Sequence, residues 1–233
     1  MLPLRDDIPS RTFPGMTLAI IILNVFSFFH EIRLGDELND FVLTWSLIPA
    51  RYTDSFVASH FSLLEQAIPF FSSMFLHGGW AHLLGNMWVL WIFGDNVEDR
   101  LGHFQFLLFY LLGGTAAALL HIFTNVGSPV PTVGASGAIA AVMGAYFRFF
   151  PHARVHTIIP PFFLGPIFNL PAVLFLGAWF LLQFFNGARA SGKMEGVAWW
   201  AHVGGFLFGM GVALFIYHRP RTHATALDDR EIW

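Results

Sequence analysis

Residues 124–150 read TNVGSPVPTVGASGAIAAVMGAYFRFF, and this stretch decides the fold. From Ser136 to Phe150 it is apolar and helix-forming. At about 1.5 Å of rise per residue it is too short to cross the hydrocarbon, which takes roughly 20 residues. From Thr124 to Ala135 it carries Gly127, Pro129, Pro131 and Gly134 and reads as irregular backbone. Irregular backbone is tolerated at membrane depth only where protein buries it or water reaches it. The expectation is a short helix that starts below the membrane surface, with a serine hydroxyl at its first position.

Working outward, five further segments are apolar enough to read as spans: 12–30, 80–97, 104–123, 168–185 and 199–217. The composition agrees. Of the 233 residues, 55% are hydrophobic and only 12% charged, and 28 are Phe and 8 Trp. A soluble domain carries about 25% charged residues. The expected fold class is therefore an all-α membrane protein, a six-transmembrane-helix bundle with a short fourth helix. Residues 1–217 form a single membrane domain in the lipid bilayer, and 218–233 form a polar tail. The loop 34–79 is rich in Phe, Leu and Ile but interrupted by Asp36, Glu37, Asp40, Asp54 and Glu65, so it is expected to lie in the interface. The first span lacks a small-residue cleavage site and reads as retained.

Six spans put both termini on one side. Arg5, Arg11, Arg100, Arg148, Arg154, Arg219 and Arg221 fall there, against Arg33, Arg51, Arg189 and Lys193 opposite. That bias places the termini in the cytoplasm. The compact form suggests a prokaryotic plasma membrane. A net charge of −3 without a basic run argues against nucleic acid as a partner, and the absence of cysteine excludes disulfides and thiolate chemistry. The sequence implies no cofactor and fixes no oligomeric state.

Polar groups at membrane depth are costly and mark functional sites. Three clusters stand out: His77-Gly78-Gly79-Trp80-Ala81-His82-Leu83-Leu84-Gly85-Asn86, then Gly134-Ala135-Ser136-Gly137, then Ala201-His202 followed by Gly205 and Gly209. A serine hydroxyl is inert until a base within hydrogen-bond reach takes its proton. Ser136, Ala140 and Gly144 form one small-residue stripe, and Gly205 and Gly209 another beyond His202. Such stripes let membrane helices approach closely. The sequence thus supplies a nucleophile, Ser136, a base, His202, and the packing that joins them. Attack on an amide creates an oxyanion that needs preorganised donors. Asn86, a ring N–H of His82 and the backbone N–H of Ser136 are suitable, and His82 and Asn86 share a helix face four residues apart.

Blander readings exist for each cluster. Gly-x-Ser-Gly is a weak signal alone and is not a nucleophile elbow, because Ala138 stands where glycine is needed. His202 could be a packed core histidine. His77, His82 and His202 could share a metal, although no carboxylate or thiol lies near them in sequence. His30-Glu31 does not complete a zincin helix, since Leu34 replaces the second histidine. It is their joint presence, in this order on one chain, that favours catalysis.

The combined pattern resembles the rhomboid family of intramembrane serine proteases over roughly 77–209. His77, His82 and Asn86 match that family's His-x4-His-x3-Asn, and Gly134, Ser136 and Gly137 its Gly-x-Ser-Gly. Ala201, His202, Gly205 and Gly209 match its Ala-His-x-x-Gly-x-x-x-Gly, and Glu98 and Gly102, with Arg100 between, its Glu-x-x-x-Gly. The resemblance implies a rhomboid-like bundle and a Ser136–His202 dyad working through an acyl-enzyme. It implies an oxyanion hole of His82, Asn86 and the Ser136 amide, with no metal. Substrates would be membrane proteins cut in a transmembrane helix, with the fifth span and residues 186–197 as lateral gate and cap. Two features depart from the family: the first loop lacks a Trp-x-Arg motif, and Ala140 stands where some members place a tyrosine under the catalytic histidine. A catalytically inactive relative that binds or chaperones membrane helices is the alternative. A proton or ion transporter explains buried histidines but not the paired serine and histidine motifs.

Overall fold

The computed structural model describes residues 1–158, 166–190 and 197–217. Six long helices dominate it: α1 (Gly15–Arg33), α2 (Trp80–Leu101), α3 (His103–Thr124), α4 (Ser136–Phe149), α5 (Ala172–Ala190) and α6 (Trp199–Tyr217). Among the described residues, α1, α3, α5 and α6 are long and apolar enough to cross a membrane, so this is an integral membrane protein. The other two fall short of that measure. α2 ends in Asp95, Glu98, Asp99 and Arg100, and α4 has only 14 residues. The tail 218–233 and residues 191–196 of the expected cap lie outside the described residues.

The chain is not purely α-helical as expected. Strands β1 (Leu2–Asp6), β2 (Arg154–Ile158) and β3 (Phe168–Pro171) form an antiparallel sheet in that order. Residues 168–171, read above as the start of the fifth span, belong to that sheet, and the helix runs instead from Ala172 to Ala190. Proline explains the offset. It disfavours helical backbone in the residue before it and cannot donate a hydrogen bond, so helices tend to start just after it. Pro171 sets the start of α5 in this way, and Pro14 delays α1 from Thr12 to Gly15.

The sheet is tied to the helices through β1. The Trp88 indole donates to the Pro3 carbonyl at 2.6 Å, and the Tyr146 hydroxyl and the Asn96 amide donate to Asp6. Burial, with Asp95 and Asp7 nearby, pushes the Asp6 carboxyl up to about 7 despite the Tyr146 hydrogen bond.

α4 is the centre of the molecule. Every residue from Gly137 to Tyr146 is buried, and α6, α3 and α2 pack around it. The contacts are backbone to backbone. A Cβ on Gly209 would stand 1.9 Å from the Ala141 carbonyl oxygen, and one on Gly144 2.1 Å from that of Phe206. α3 approaches as closely, since a Cβ on Gly113 would fall 2.5 Å from the Ala141 Cβ. In lipid, where apolar burial drives little association, this interlocking of small residues holds helices together.

Loops fix the two ends. Glu98 is fully buried and caps α1, accepting from the Met16 and Thr17 backbone N–H groups, the Thr17 hydroxyl and His103. A carboxylate there satisfies orphan donors and meets the positive end of the helix dipole. At the other end the first loop breaks into short helical turns, with Phe56, Leu63, Leu64 and Phe71 exposed. It docks on the irregular stretch before Ser136. Leu47 and Thr132 exchange backbone hydrogen bonds, Ala50 N–H donates to Ser128, and Gly134 N–H donates to the Ser73 carbonyl.

Candidate active site

Ser136 is the first residue of α4, and its hydroxyl is accessible at the end of that helix. Its position follows from Gly134, whose φ of +122° few side chains adopt. The Gly134 N–H is held by Ser73, so the turn into α4 is anchored to the first loop. His202 lies in the first turn of α6. The Ser136 Oγ and the His202 Nε2 are 2.8 Å apart. The packing between them is the one expected from the small-residue stripes: a Cβ on Gly205 would stand 2.0 Å from the Gly137 carbonyl oxygen and 3.2 Å from the Ala140 Cβ. Gly137 in turn abuts Ala117 of α3, where an added Cβ would come within 2.7 Å of another. Ala140 is fully buried in this seam, which leaves no room for an aromatic ring.

A cavity of about 430 Å³ opens on the pair, lined by His82, Asn86, His121, Thr132, Ser136 and His202 among others. His82 and Asn86 come into it from one face of α2, as their spacing predicts. The His82 Nδ1 accepts from the Gly78 N–H at 3.4 Å, which leaves the Nε2 to carry the proton. That Nε2 stands 2.6 Å from where a Cβ on Gly134 would be, with the Asn86 amide nitrogen 3.6 Å from the same point. Only glycine fits at 134, and both nitrogens face the backbone that leads into Ser136. The Asn86 amide donates one hydrogen to the His77 Nε2 at 3.0 Å and keeps its other for the cavity. His77 is buried and packs edge-on against His82, with ring centroids 5.0 Å apart. It supports Asn86 and does not touch the serine.

Two of the sequence-derived residues lie elsewhere. Glu98 caps α1 at the far end of α2, and Arg100 stacks its guanidinium over the Phe149 ring at 5.7 Å. Gly209 serves the α4–α6 seam two turns from the histidine.

Other residues at or near the site carry no site role in the sequence reading. Gln183 of α5 is buried, and its Oε1 lies 2.8 Å from the His202 Nδ1. Trp179, one turn earlier, packs its ring 5.8 Å from the imidazole, and Trp199 meets it edge-on at 6.4 Å. All three contact the His202 ring, where residue 140 is alanine. A glutamine inside the run Ala172–Phe185 was the available signal, being the one strongly polar side chain there. Glu31, buried in α1, accepts the His77 N–H with both oxygens at 3.2 Å. In the first loop the Arg51 guanidinium donates to the Leu43 and Thr44 carbonyls and lies over the Phe61 ring at 4.4 Å.

A family model described as Rhomboid domain matches residues 64–219. The presenilin-associated rhomboid-like protein A, mitochondrial, of Danio rerio is 31% identical over 181 residues, covering 74% of this chain and 44% of its own length. Rhomboid protein 1, mitochondrial, of Saccharomyces cerevisiae is 27% identical over 167 residues, covering 69% of this chain and 45% of its own length. Rhomboid-like protease 5 of Toxoplasma gondii is 34% identical over 140 residues, covering 58% of this chain and 15% of its own. The chain spans less than half the length of these relatives. Two of the three are mitochondrial by name, which lends nothing to the prokaryotic plasma membrane expected from the sequence.

Proposed function

The chain belongs to the rhomboid family, and on that premise we propose that it is an intramembrane serine endopeptidase that cuts transmembrane segments of membrane proteins. The observation that carries the reading is the 2.8 Å approach of the Ser136 Oγ and the His202 Nε2, made across two helices whose glycines allow it.

The chemistry follows from the positions. His202 takes the Ser136 proton on its Nε2 as the Oγ attacks the scissile carbonyl. The oxygen of that carbonyl becomes an oxyanion held by the Ser136 N–H, the His82 Nε2–H and the free hydrogen of the Asn86 amide. Collapse expels the amine, which takes the proton from His202 and leaves an acyl group on Ser136. Water entering through the cavity loses a proton to His202 and attacks the ester; collapse breaks the bond to the Ser136 Oγ, which takes the proton back from His202 as the acid leaves. Both reacting side chains line the 430 Å³ cavity, which gives water its route. In this reading all six long helices span, the termini share the cytoplasmic side, and α5 is the helix past which a substrate enters.

The test is covalent labelling with a fluorophosphonate probe in detergent, paired with cleavage of a single-span substrate. Wild type labels and cleaves; Ser136→Ala and His202→Ala do neither. Cleavage by folded Ser136→Ala would remove the dyad assignment. A folded wild type that neither labels nor cleaves would favour the helix-binding alternative.

A further inference from the structure

Gln183 has no part in the catalytic motifs, yet it is the one amide in the apolar run of α5, and it is only 4% exposed. An amide at membrane depth is costly unless both its ends are satisfied. Both are. The Nε2 donates to the Trp179 carbonyl at 3.3 Å, and the Oε1 faces the His202 Nδ1 at 2.8 Å. The first contact fixes the second. Rotating the amide by half a turn would set its oxygen against a carbonyl oxygen, so Oε1 belongs on the imidazole side. An oxygen there accepts only, so the Nδ1 must carry the proton.

We propose that Gln183 is the positioning residue of the base: by accepting the Nδ1–H it holds His202 in the tautomer whose Nε2 offers a lone pair to the Ser136 hydroxyl. This rests on the protease reading above. In the opposite tautomer the Nε2 would carry hydrogen and could not take the Ser136 proton. When the base is charged, both ring nitrogens carry hydrogen and the Nδ1–H···Oε1 bond becomes charge-assisted, which is where such bonds strengthen. A neutral acceptor thus performs the orienting role that a carboxylate performs in other serine hydrolases. Trp179 adds to the same end by packing on the ring from one turn away on the same helix. The acceptor rides on α5 while base and nucleophile ride on α6 and α4. α5 is held to those two less extensively than they are to each other.

A merely structural glutamine would tie α5 to α6 without setting the proton, and nitrogen NMR separates the two roles. Protein labelled with ¹⁵N-histidine is measured in detergent micelles near pH 8, with His202 identified by difference from His202→Gln. Wild type is expected to show a protonated Nδ1 and an unprotonated Nε2. Gln183→Leu, which fills the space but accepts nothing, loses that preference, and its fluorophosphonate labelling slows by about 10²-fold. Gln183→Glu keeps an acceptor and restores the tautomer. A wild-type His202 protonated on Nε2 would overturn the proposal, as would a folded Gln183→Leu with unchanged tautomer and labelling within about threefold of wild type. The expected tautomer in a wild type that fails to label would leave Gln183 in its role and remove the protease reading instead.

Discussion

Gly205→Ala tests whether helix packing, and not the two side chains alone, makes the dyad. The added Cβ would lie 2.0 Å from the Gly137 carbonyl oxygen, where contacts below 3.0 Å are essentially never tolerated and ordinary contact begins near 3.4 Å. Neither partner is a flexible side-chain tip; one is backbone and the other is the Ala140 Cβ. α6 must retreat from α4 by about 1 to 1.4 Å. His202 lies one turn before Gly205, and Ser136 directly precedes Gly137, so the separation reaches the dyad almost undiminished. The 2.8 Å between Oγ and Nε2 then opens past the roughly 3.2 Å limit of an effective hydrogen bond. A misplacement of about 1 Å costs on the order of 10²-fold in rate. The assay is the second-order rate of fluorophosphonate labelling, with folded fraction followed by size exclusion. Gly211→Ala, on the same helix, is the control: an added Cβ there meets nothing within 4 Å. It should label like wild type and stabilise the helix by up to about 1 kcal/mol. Wild-type labelling by Gly205→Ala would show that the α4–α6 seam does not set the dyad distance, and Gly205→Val would then be expected to do no worse.

Three further outcomes are expected. Asn86→Ala removes an oxyanion donor and should lower turnover of a cleaved substrate by about 10²–10³-fold while the protein remains monodisperse; turnover near the wild-type rate would take Asn86 out of the oxyanion hole. Glu98→Ala strands the N–H groups of Met16 and Thr17 and should cost stability by about 1–3 kcal/mol, read as a lower melting temperature. Activity per folded molecule should be unchanged, because Glu98 stands roughly 24 Å along α2 from His82. Asp6, held near pKa 7 by burial, binds more protons folded than unfolded between about pH 4 and 7. Its contribution to stability is therefore present at the acid end and lost as pH rises through 7. Thermal scans across that range should show wild type losing stability relative to Asp6→Asn, and parallel curves would refute the buried carboxyl.

The meeting of Ser136, His202, His82 and Asn86 around one cavity is legible in the sequence because each part obeys a short rule. His82 and Asn86 share a face at a spacing of four, the glycines mark where backbones touch, and a serine at the start of a helix too short to span points to depth. The strands were not legible. β2 and β3 are four or five residues each, and Phe168–Leu170 reads as apolar helix until Pro171 is given its weight. β1 depends on a partner about 150 residues away, which no local pattern reveals. Gln183 hides in plain composition: a single glutamine in an apolar run reads as part of the span, although the cost of burying an amide makes it as much a site marker as His202. The docking of the first loop was hidden for another reason. Arg51 reaches the Leu43 and Thr44 carbonyls in a geometry that only the folded turn creates.

The distribution of charge gives the site its character. Glu31 and Glu98 are both buried carboxylates beside motif residues, and a sequence reader could assign either to catalysis. Each is instead consumed by backbone N–H groups, Glu31 at His77 and Glu98 at the start of α1. In the proposed mechanism the groups that touch the reacting atoms are a hydroxyl, two imidazoles and two amides, and none is a carboxylate. A buried carboxylate near His202 would need its own compensation in a medium where an isolated charge is very costly. On the protease reading, a neutral glutamine orients the ring without that cost, and the imidazolium it would support forms together with the substrate's oxyanion, which balances it. In a membrane, the lifetime of the charge is thus matched to the chemistry. This is why Gln183→Glu is expected to preserve the tautomer yet leave a different pH dependence of labelling, a distinction that a soluble triad, with its permanently ionised aspartate, does not offer.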